Sequence, residues 1–250
     1  MNARHLLVAT AGGAAAAVAA VAPAALGQAS NSPAFSNTVI SIEGPTANVL
    51  PPAWVAVRKT GTRVVRDSSR QRVRISARSV LSQLVTGAPA NAIPVRWTWY
   101  PSFRAPYVSS IDRIAPRGAR GWNYRVNSLY WAKSANNVNL GRGDRVTWYW
   151  GGEKDTVLEI AAPSTDIAPG AVVLPGTFTV QVNEVTWKRV RTPSAGATVT
   201  YGTATATTGA DGTARFATTP GVGTLRATKA SRIAATKRVC TVGAPECPTP

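Results

Sequence analysis

Gly121-Trp122-Asn123-Tyr124-Arg125-Val126-Asn127 decides the fold class. Trp122, Tyr124 and Val126 alternate with Asn123, Arg125 and Asn127, which is the two-residue period of a strand with one apolar and one polar face. Upstream, Val95, Trp97 and Trp99 alternate with Arg96, Thr98 and Tyr100 until Pro101 stops the run. Downstream, Arg145-Val146-Thr147-Trp148-Tyr149-Trp150 follows a Gly141-Arg142-Gly143-Asp144 turn and again sets its tryptophans and a valine on one side. Residues 107–114 read as a further strand. The period predicts a mainly β protein.

Working outward, residues 38–43 alternate as a first strand that Gly44-Pro45 ends. Residues 54–58 turn at Lys59-Thr60-Gly61 into residues 63–66, which predicts a hairpin. One helix is expected, capped by Ser79, with Val80, Leu81, Leu84 and Val85 on a shared face and Gly87 behind them. Towards the C-terminus, Pro, Ser, Thr and Gly cluster over residues 163–170 and mark a boundary. Six short alternating segments follow, at 177–182, 197–201, 203–207, 213–217, 223–229 and 236–241, which predicts a small antiparallel sandwich.

The first 29 residues open with Arg4 and His5 and continue through an Ala/Gly/Val run to Pro23 and small residues. This is the layout of a secretory leader, with cleavage expected after Gly27 or Ala29. The run from Leu6 to Leu26 is also long enough for an uncleaved anchor. The expected division is therefore a leader at 1–29, a first domain at 38–161, a sandwich at 170–242 and a tail at 243–250. An exported chain meets an oxidising compartment, so Cys240 and Cys247, the two cysteines present, are expected to pair as a disulfide. With His5 in the leader, the mature part has no histidine, and no metal site is expected.

Twenty-eight Lys and Arg face eleven Asp and Glu, a net charge of +17. Such a surface attracts anions. The densest stretch runs from Arg58 to Arg78, with seven arginines, Lys59 and a single acid, Asp67. Arg63, Arg66, Arg70, Arg72, Arg74 and Arg78 are the candidate contacts for an anionic polymer; a solvated edge strand kept from aggregating by its charges is the alternative. Nucleic acid is disfavoured as a partner by export rather than by charge.

The commonest catalytic bases and nucleophiles are missing from the mature part, and no spacing selects a carboxylate or Ser-Lys pair, so no enzyme activity and no cofactor are expected. Arg142-Gly143-Asp144 reads as a turn rather than an adhesion tripeptide. Leu174-Pro175-Gly176-Thr177 departs from a sortase signal at Phe178. Glu153, Asp155 and Glu159 are too sparse for a calcium loop.

Binding remains. The candidate ligand surface comprises Tyr100, Trp122, Asn123, Tyr124, Arg125, Asn127, Trp131 and Tyr149, with Tyr100, Trp131 and Tyr149 as the rings expected to be exposed for stacking. Asn123, Arg125 and Asn127 are the expected hydrogen-bond donors.

The helix, Trp99-Tyr100-Pro101-Ser102-Phe103, the Gly121 to Asn127 strand and Leu140-Gly141-Arg142-Gly143-Asp144-Arg145-Val146-Thr147-Trp148-Tyr149-Trp150 together resemble the transcobalamin-like C-terminal domain family. The likeness covers roughly residues 39–160. It implies a soluble ligand-binding β-grasp domain with one short helix; in the animal vitamin carriers of that family the domain forms one wall of a cobalamin cleft. Ser128 stands where a glycine often follows the Asn, and no long helical barrel is present in this sequence to form the opposite wall. The stretches 193–199 and 208–214 resemble bacterial immunoglobulin-like and carboxypeptidase-regulatory-like modules, which implies a spacer or adhesive unit. The resulting expectation is an exported, cell-surface or extracellular module that binds a small ligand, glycan or peptide. The alternative is a structural envelope protein docked electrostatically on anionic wall polymers.

Overall fold

The computed structural model describes residues 34–162, 172–173, 176–218 and 222–241. The expected leader and tail, and with Cys247 the expected disulfide, lie outside them. The described chain is mainly β with one helix. In the first unit β1 (Phe35–Glu43), β2 (Asn48–Arg58), β3 (Thr62–Arg66) and β4 (Arg72–Ser76) precede α1 (Val80–Ala90). Then follow β5 (Val95–Tyr100), β6 (Ala105–Ile111), β7 (Gly121–Val126), β8 (Leu129–Tyr130) and β9 (Arg145–Gly151).

The main sheet runs β2-β1-β9-β7-β8. β1 and β9 lie parallel at its centre, with Ile40 opposite Val146 and Ile42 opposite Trp148. α1 packs on one face of this sheet, which is the β-grasp arrangement. Ser79 caps it as expected, its Oγ accepting from the Ser82 amide at 3.1 Å. Val80, Leu81, Leu84 and Ala88 are fully buried in the same core as Trp97, Trp122, Tyr124 and Trp148, while Val85 is half-buried. Each such large side chain contributes about 2–3 kcal/mol of burial. Helix and sheet approach so closely at Gly87 that an added Cβ would stand 2.5 Å from Val55 Cγ2. Buried Gln83 ties the two layers, donating from Nε2 to Thr38 Oγ1 at 2.8 Å and to the Val39 carbonyl at 3.1 Å.

The hairpin expected between residues 54–58 and 63–66 does not form. β2 pairs with β1, and β3 pairs with β4, because Gly61 (φ +86°) only redirects the chain and the apolar Val65, Val73 and Ile75 are matched across a separate two-stranded sheet. β5 and β6 form another two-stranded sheet.

The second unit holds β10 (Val157–Ala162), β11 (Val172–Val173), β12 (Thr177–Val185), β13 (Arg191–Pro193), β14 (Thr198–Tyr201), β15 (Ala204–Thr207), β16 (Thr213–Ala217), β17 (Val222–Thr228) and β18 (Ala235–Thr241). One sheet is built on β12, paired with β10 along one edge and with β13 and β16 along the other. The second runs β11-β18-β17-β14-β15. Phe178, Tyr201 and Phe216 fill the space between them, with Phe178 and Tyr201 edge to face at 5.2 Å. The expected boundary at 163–170 is displaced, since β10 already belongs to the second unit's sheet. The chain crosses between the units over residues 152–156.

The polar face of the first sheet, opposite α1, packs against the second unit. Tyr149 there joins Val157, Val185 and Ile233 in a small apolar cluster. Glu43, 1 % exposed, accepts from Arg226 Nη1 at 2.6 Å, Thr236 Oγ1 at 2.6 Å and Asn48 Nδ2 at 2.8 Å.

Candidate functional site

Two clefts compete for attention. One, of about 440 Å³, lies between the units and is lined by Arg125, Asn127, Arg145, Glu159, Arg191 and Lys237 among others. Its polar groups are engaged with the protein itself: Arg191 pairs with Glu159 at 2.8 Å, and Lys237 Nζ donates to the Ile160 carbonyl at 3.3 Å. The other, of about 410 Å³, is carried by the first unit alone and is aromatic. Trp122, Tyr124 and Trp148 form its buried side, Tyr107, Tyr130 and Trp131 line it with partly exposed rings, and Asn123, Lys133, Ser134 and Glu153 add polar groups.

The local sequence explains this arrangement. Trp122 and Tyr124 point to the core by strand alternation, and their polar ends find carbonyls: Trp122 Nε1 donates to Ile114 at 2.7 Å and Tyr124 Oη to Lys133 at 2.6 Å. The second bond pins residues 131–135 over the end of β7. Tyr130 Oη donates to Glu153, joining β8 to the segment that leaves β9. Burial pushes the Tyr124 and Tyr149 phenols up, and burial together with the Glu153 hydrogen bond pushes Tyr130 up to about 12. All three are therefore neutral hydroxyls at physiological pH. Trp131 and Trp148 also line this cleft, but their indole N–H groups are buried away from it and find no acceptor among the described residues.

Beyond the cleft the aromatic surface continues. Tyr107 is 49 % exposed, Tyr100 44 % and Phe103 78 %. Tyr100 sits edge-on to both others, with ring centroids 6.5 Å apart in each case. The three rings form a shelf at the β5–β6 turn, and Tyr107 belongs to shelf and cleft alike.

Residues 96–152 match the model of a domain of unknown function, DUF4430. That family is grouped with the transcobalamin-like domains, and the matched segment carries β5 through β9 and thus every aromatic residue of the cleft and the shelf. No curated protein matches the chain.

Of the eight residues expected to bind ligand, the DUF4430 segment brings Trp122, Asn123, Tyr124 and Trp131 together in the cleft and sets Tyr100 on the adjoining shelf. Tyr149, expected to be exposed, is fully buried because the second unit covers its face of the sheet. Arg125 lies on that same face and is 1 % exposed; it donates to the carbonyls of Asp155 at 2.6 Å and of Ser128 and Thr186 at 3.3 Å each. It is a clamp between units rather than a ligand donor. Asn127 is engaged with Asp144 and the Arg145 amide and lies away from the aromatic cleft. Asn123 reaches the cleft although its amide also donates to the Gly121 and Gly151 carbonyls.

The alternation argument missed Phe103, Tyr107, Tyr130, Lys133 and Glu153. One signal was available: Phe103 lies in a Pro101-Ser102 turn, where a large ring has no sheet face to pack on. Glu153, Asp155 and Glu159, too sparse for a calcium loop, each hold a different partner: Tyr130, Arg120 and Arg191.

Proposed function

We propose that this chain is an exported, non-catalytic carbohydrate-binding module whose ligand occupies the aromatic cleft and extends onto the Tyr100–Phe103–Tyr107 shelf. The observation that carries this reading is the continuity of half-exposed rings from Trp131 and Tyr107 in the cleft to Phe103 outside it. A sugar ring offers C–H faces to flat aromatic surfaces and hydroxyls to polar groups around them. Glu153 supplies an acceptor, Lys133 a donor, and neutral Tyr130 a hydroxyl.

A small-molecule cage of the vitamin-carrier kind is less well supported, because α1 is the one helix among the described residues and it packs on the sheet rather than across the cleft. Export rests on the leader-like N-terminus. No helix among the described residues is long and apolar enough to cross a membrane. The test is a titration of soluble oligosaccharides read by tryptophan fluorescence. Saturable quenching or enhancement by at least one neutral oligosaccharide supports the proposal; a panel of hexose, pentose and amino-sugar oligomers that leaves the emission unchanged refutes it.

A further inference from the structure

A second surface lies on the β3–β4 hairpin, away from the aromatic cleft. Registration of the two strands sets Arg66 opposite Arg72 and Val64 opposite Arg74. Val65, Val73 and Ile75 point into the core, so Arg66, Arg72 and Arg74 share the outward face. Arg72 and Arg74 are about 7 Å apart along the strand, and Arg66 stands about 5 Å across from Arg72. Arg70 adds a fourth exposed guanidinium from the connecting turn, where its φ is +65°. None of the four forms an ion pair among the described residues. Arg63, counted with them by charge density, faces inward instead: its Nη1 donates to Thr86 Oγ1 at 2.6 Å and to Ser82 Oγ at 3.4 Å, fastening the hairpin to α1. Arg78 is exposed but lies past the end of β4.

The one acid of this stretch, Asp67, forms no ion pair with this face. Asp67 is buried, and its carboxylate accepts from the amides of Ser69 and Gln71 at 2.9 Å and of Trp99 at 3.0 Å. Those bonds, with Ser68 N to the Trp97 carbonyl at 2.8 Å, also lock the hairpin onto β5, so the guanidinium array stands on a fixed platform. Like charges directly opposite each other destabilise a strand pair. Charges that only guarded a strand edge would not need to face each other across the ladder.

We propose that Arg66, Arg70, Arg72 and Arg74 form a docking face for an anionic polysaccharide whose sulfate, carboxylate or phosphodiester groups repeat along an extended chain. Each guanidinium can take such a group through two parallel N–H bonds, and several weak contacts on one chain add by multivalency. The face offers cations and Val64 but no aromatic ring, so it lacks the stacking platform that single-stranded nucleic acid uses. The leader-like N-terminus favours a partner outside the cell.

The experiment measures retention of the full chain, freed of its leader, on heparin and on immobilised polygalacturonate across a salt series. The triple variant Arg66→Gln/Arg72→Gln/Arg74→Gln is compared with Arg113→Gln/Arg117→Gln/Arg142→Gln, which removes the same charge from other exposed positions of the first unit. The hairpin variant is expected to elute at clearly lower salt and to flatten the log affinity against log salt slope by about 2, on the order of 0.7–0.9 per lost contact. The control variant should change both by less than half as much, and thermal melts should match wild type for both. Equal losses in the two variants would overturn the proposal, as would an unchanged hairpin variant or preferential retention of duplex or single-stranded DNA in competition.

Discussion

Asn127 donates from Nδ2 to Asp144 Oδ1 at 2.9 Å, and its own Oδ1 accepts from the Arg145 amide at 2.9 Å. Asp144 in turn accepts at Oδ2 from the Gly141 amide at 2.7 Å, holding the turn that the Arg142-Gly143-Asp144 tripeptide occupies. This contact joins the end of the Gly-Trp-x-Tyr-x-Val-Asn strand to the start of the Gly-Asp-x-Val-x-Trp strand. The two sequence motifs are one structural unit, and neither Asn127 nor Asp144 is left to contact a ligand in the aromatic cleft.

Removing either side chain should therefore cost stability rather than binding. Asn127→Ala and Asp144→Ala are each expected to lose about 0.5–1.5 kcal/mol, the net contribution of an exposed hydrogen bond whose partner water can take over. The double variant should fall short of the sum, as contacting residues do not add. Urea denaturation of the three variants checks this; full additivity would show that the contact contributes nothing.

Asn127 and Ser128 have φ of +51° and +64° and link Val126 to Leu129 across a two-residue hairpin turn. Both central positions of such a turn need positive φ, which glycine adopts without steric cost. Ser128→Gly is expected to raise stability by about 0.5–1 kcal/mol, the relief of left-handed strain outweighing the added freedom of the unfolded chain. A melting temperature equal to or below wild type would contradict it.

Much of the secondary structure was legible because aromatic and aliphatic residues alternate with polar ones over each strand. Pairing was less so. Ile40 and Val146 lie over a hundred residues apart, and nothing local announces that their strands run parallel. Val157 to Ala162 is apolar enough for either unit and was assigned to the wrong one. The site divided along similar lines. Trp122, Tyr124 and Trp131, singled out from their clustering, line one cleft, but Arg125 and Tyr149 are buried where a polar strand face was expected to meet water. It meets the second unit, and the Arg125 guanidinium donates there to the Thr186 carbonyl and, in the crossing segment, to the Asp155 carbonyl. Tyr107 entered the site through the packing of β6 beside β7, which no spacing encodes.

Glu43 supplies the buried ion pair in the contact between units. Glu43→Gln keeps the shape but leaves Arg226 without its carboxylate, and breaking a buried pair on one side costs up to about 3–5 kcal/mol. Arg226 is partly exposed, so about 2 kcal/mol is the expected loss. The urea midpoint should drop accordingly, and Glu43→Gln/Arg226→Met should recover part of it. A midpoint unchanged in Glu43→Gln would show that the buried pair adds no stability.

Acid should loosen the second unit through Glu184. Burial alone would raise its carboxyl, but hydrogen bonds from Lys229 at 2.7 Å and Arg232 at 2.6 Å outweigh it and hold the group below the ordinary glutamate value. A depressed folded-state value means that the stabilisation is present above about pH 4.5 and is lost as pH falls through the folded value. Wild type should thus lose more stability between pH 5 and 3 than Glu184→Gln does, to the extent of that one group. Parallel stability curves for the two proteins over this range would rule the coupling out.

The carbohydrate reading is tested most directly by calorimetric titration of the oligosaccharide that perturbs tryptophan emission most, into wild type, Trp131→Ala and Tyr107→Ala. Loss of one stacking ring is expected to weaken binding about tenfold in either variant, equivalent to about 1.4 kcal/mol, with the melting temperature little changed for exposed Tyr107. Affinity unchanged in both variants, with the fold intact, would contradict the assignment of the aromatic cleft as the binding site.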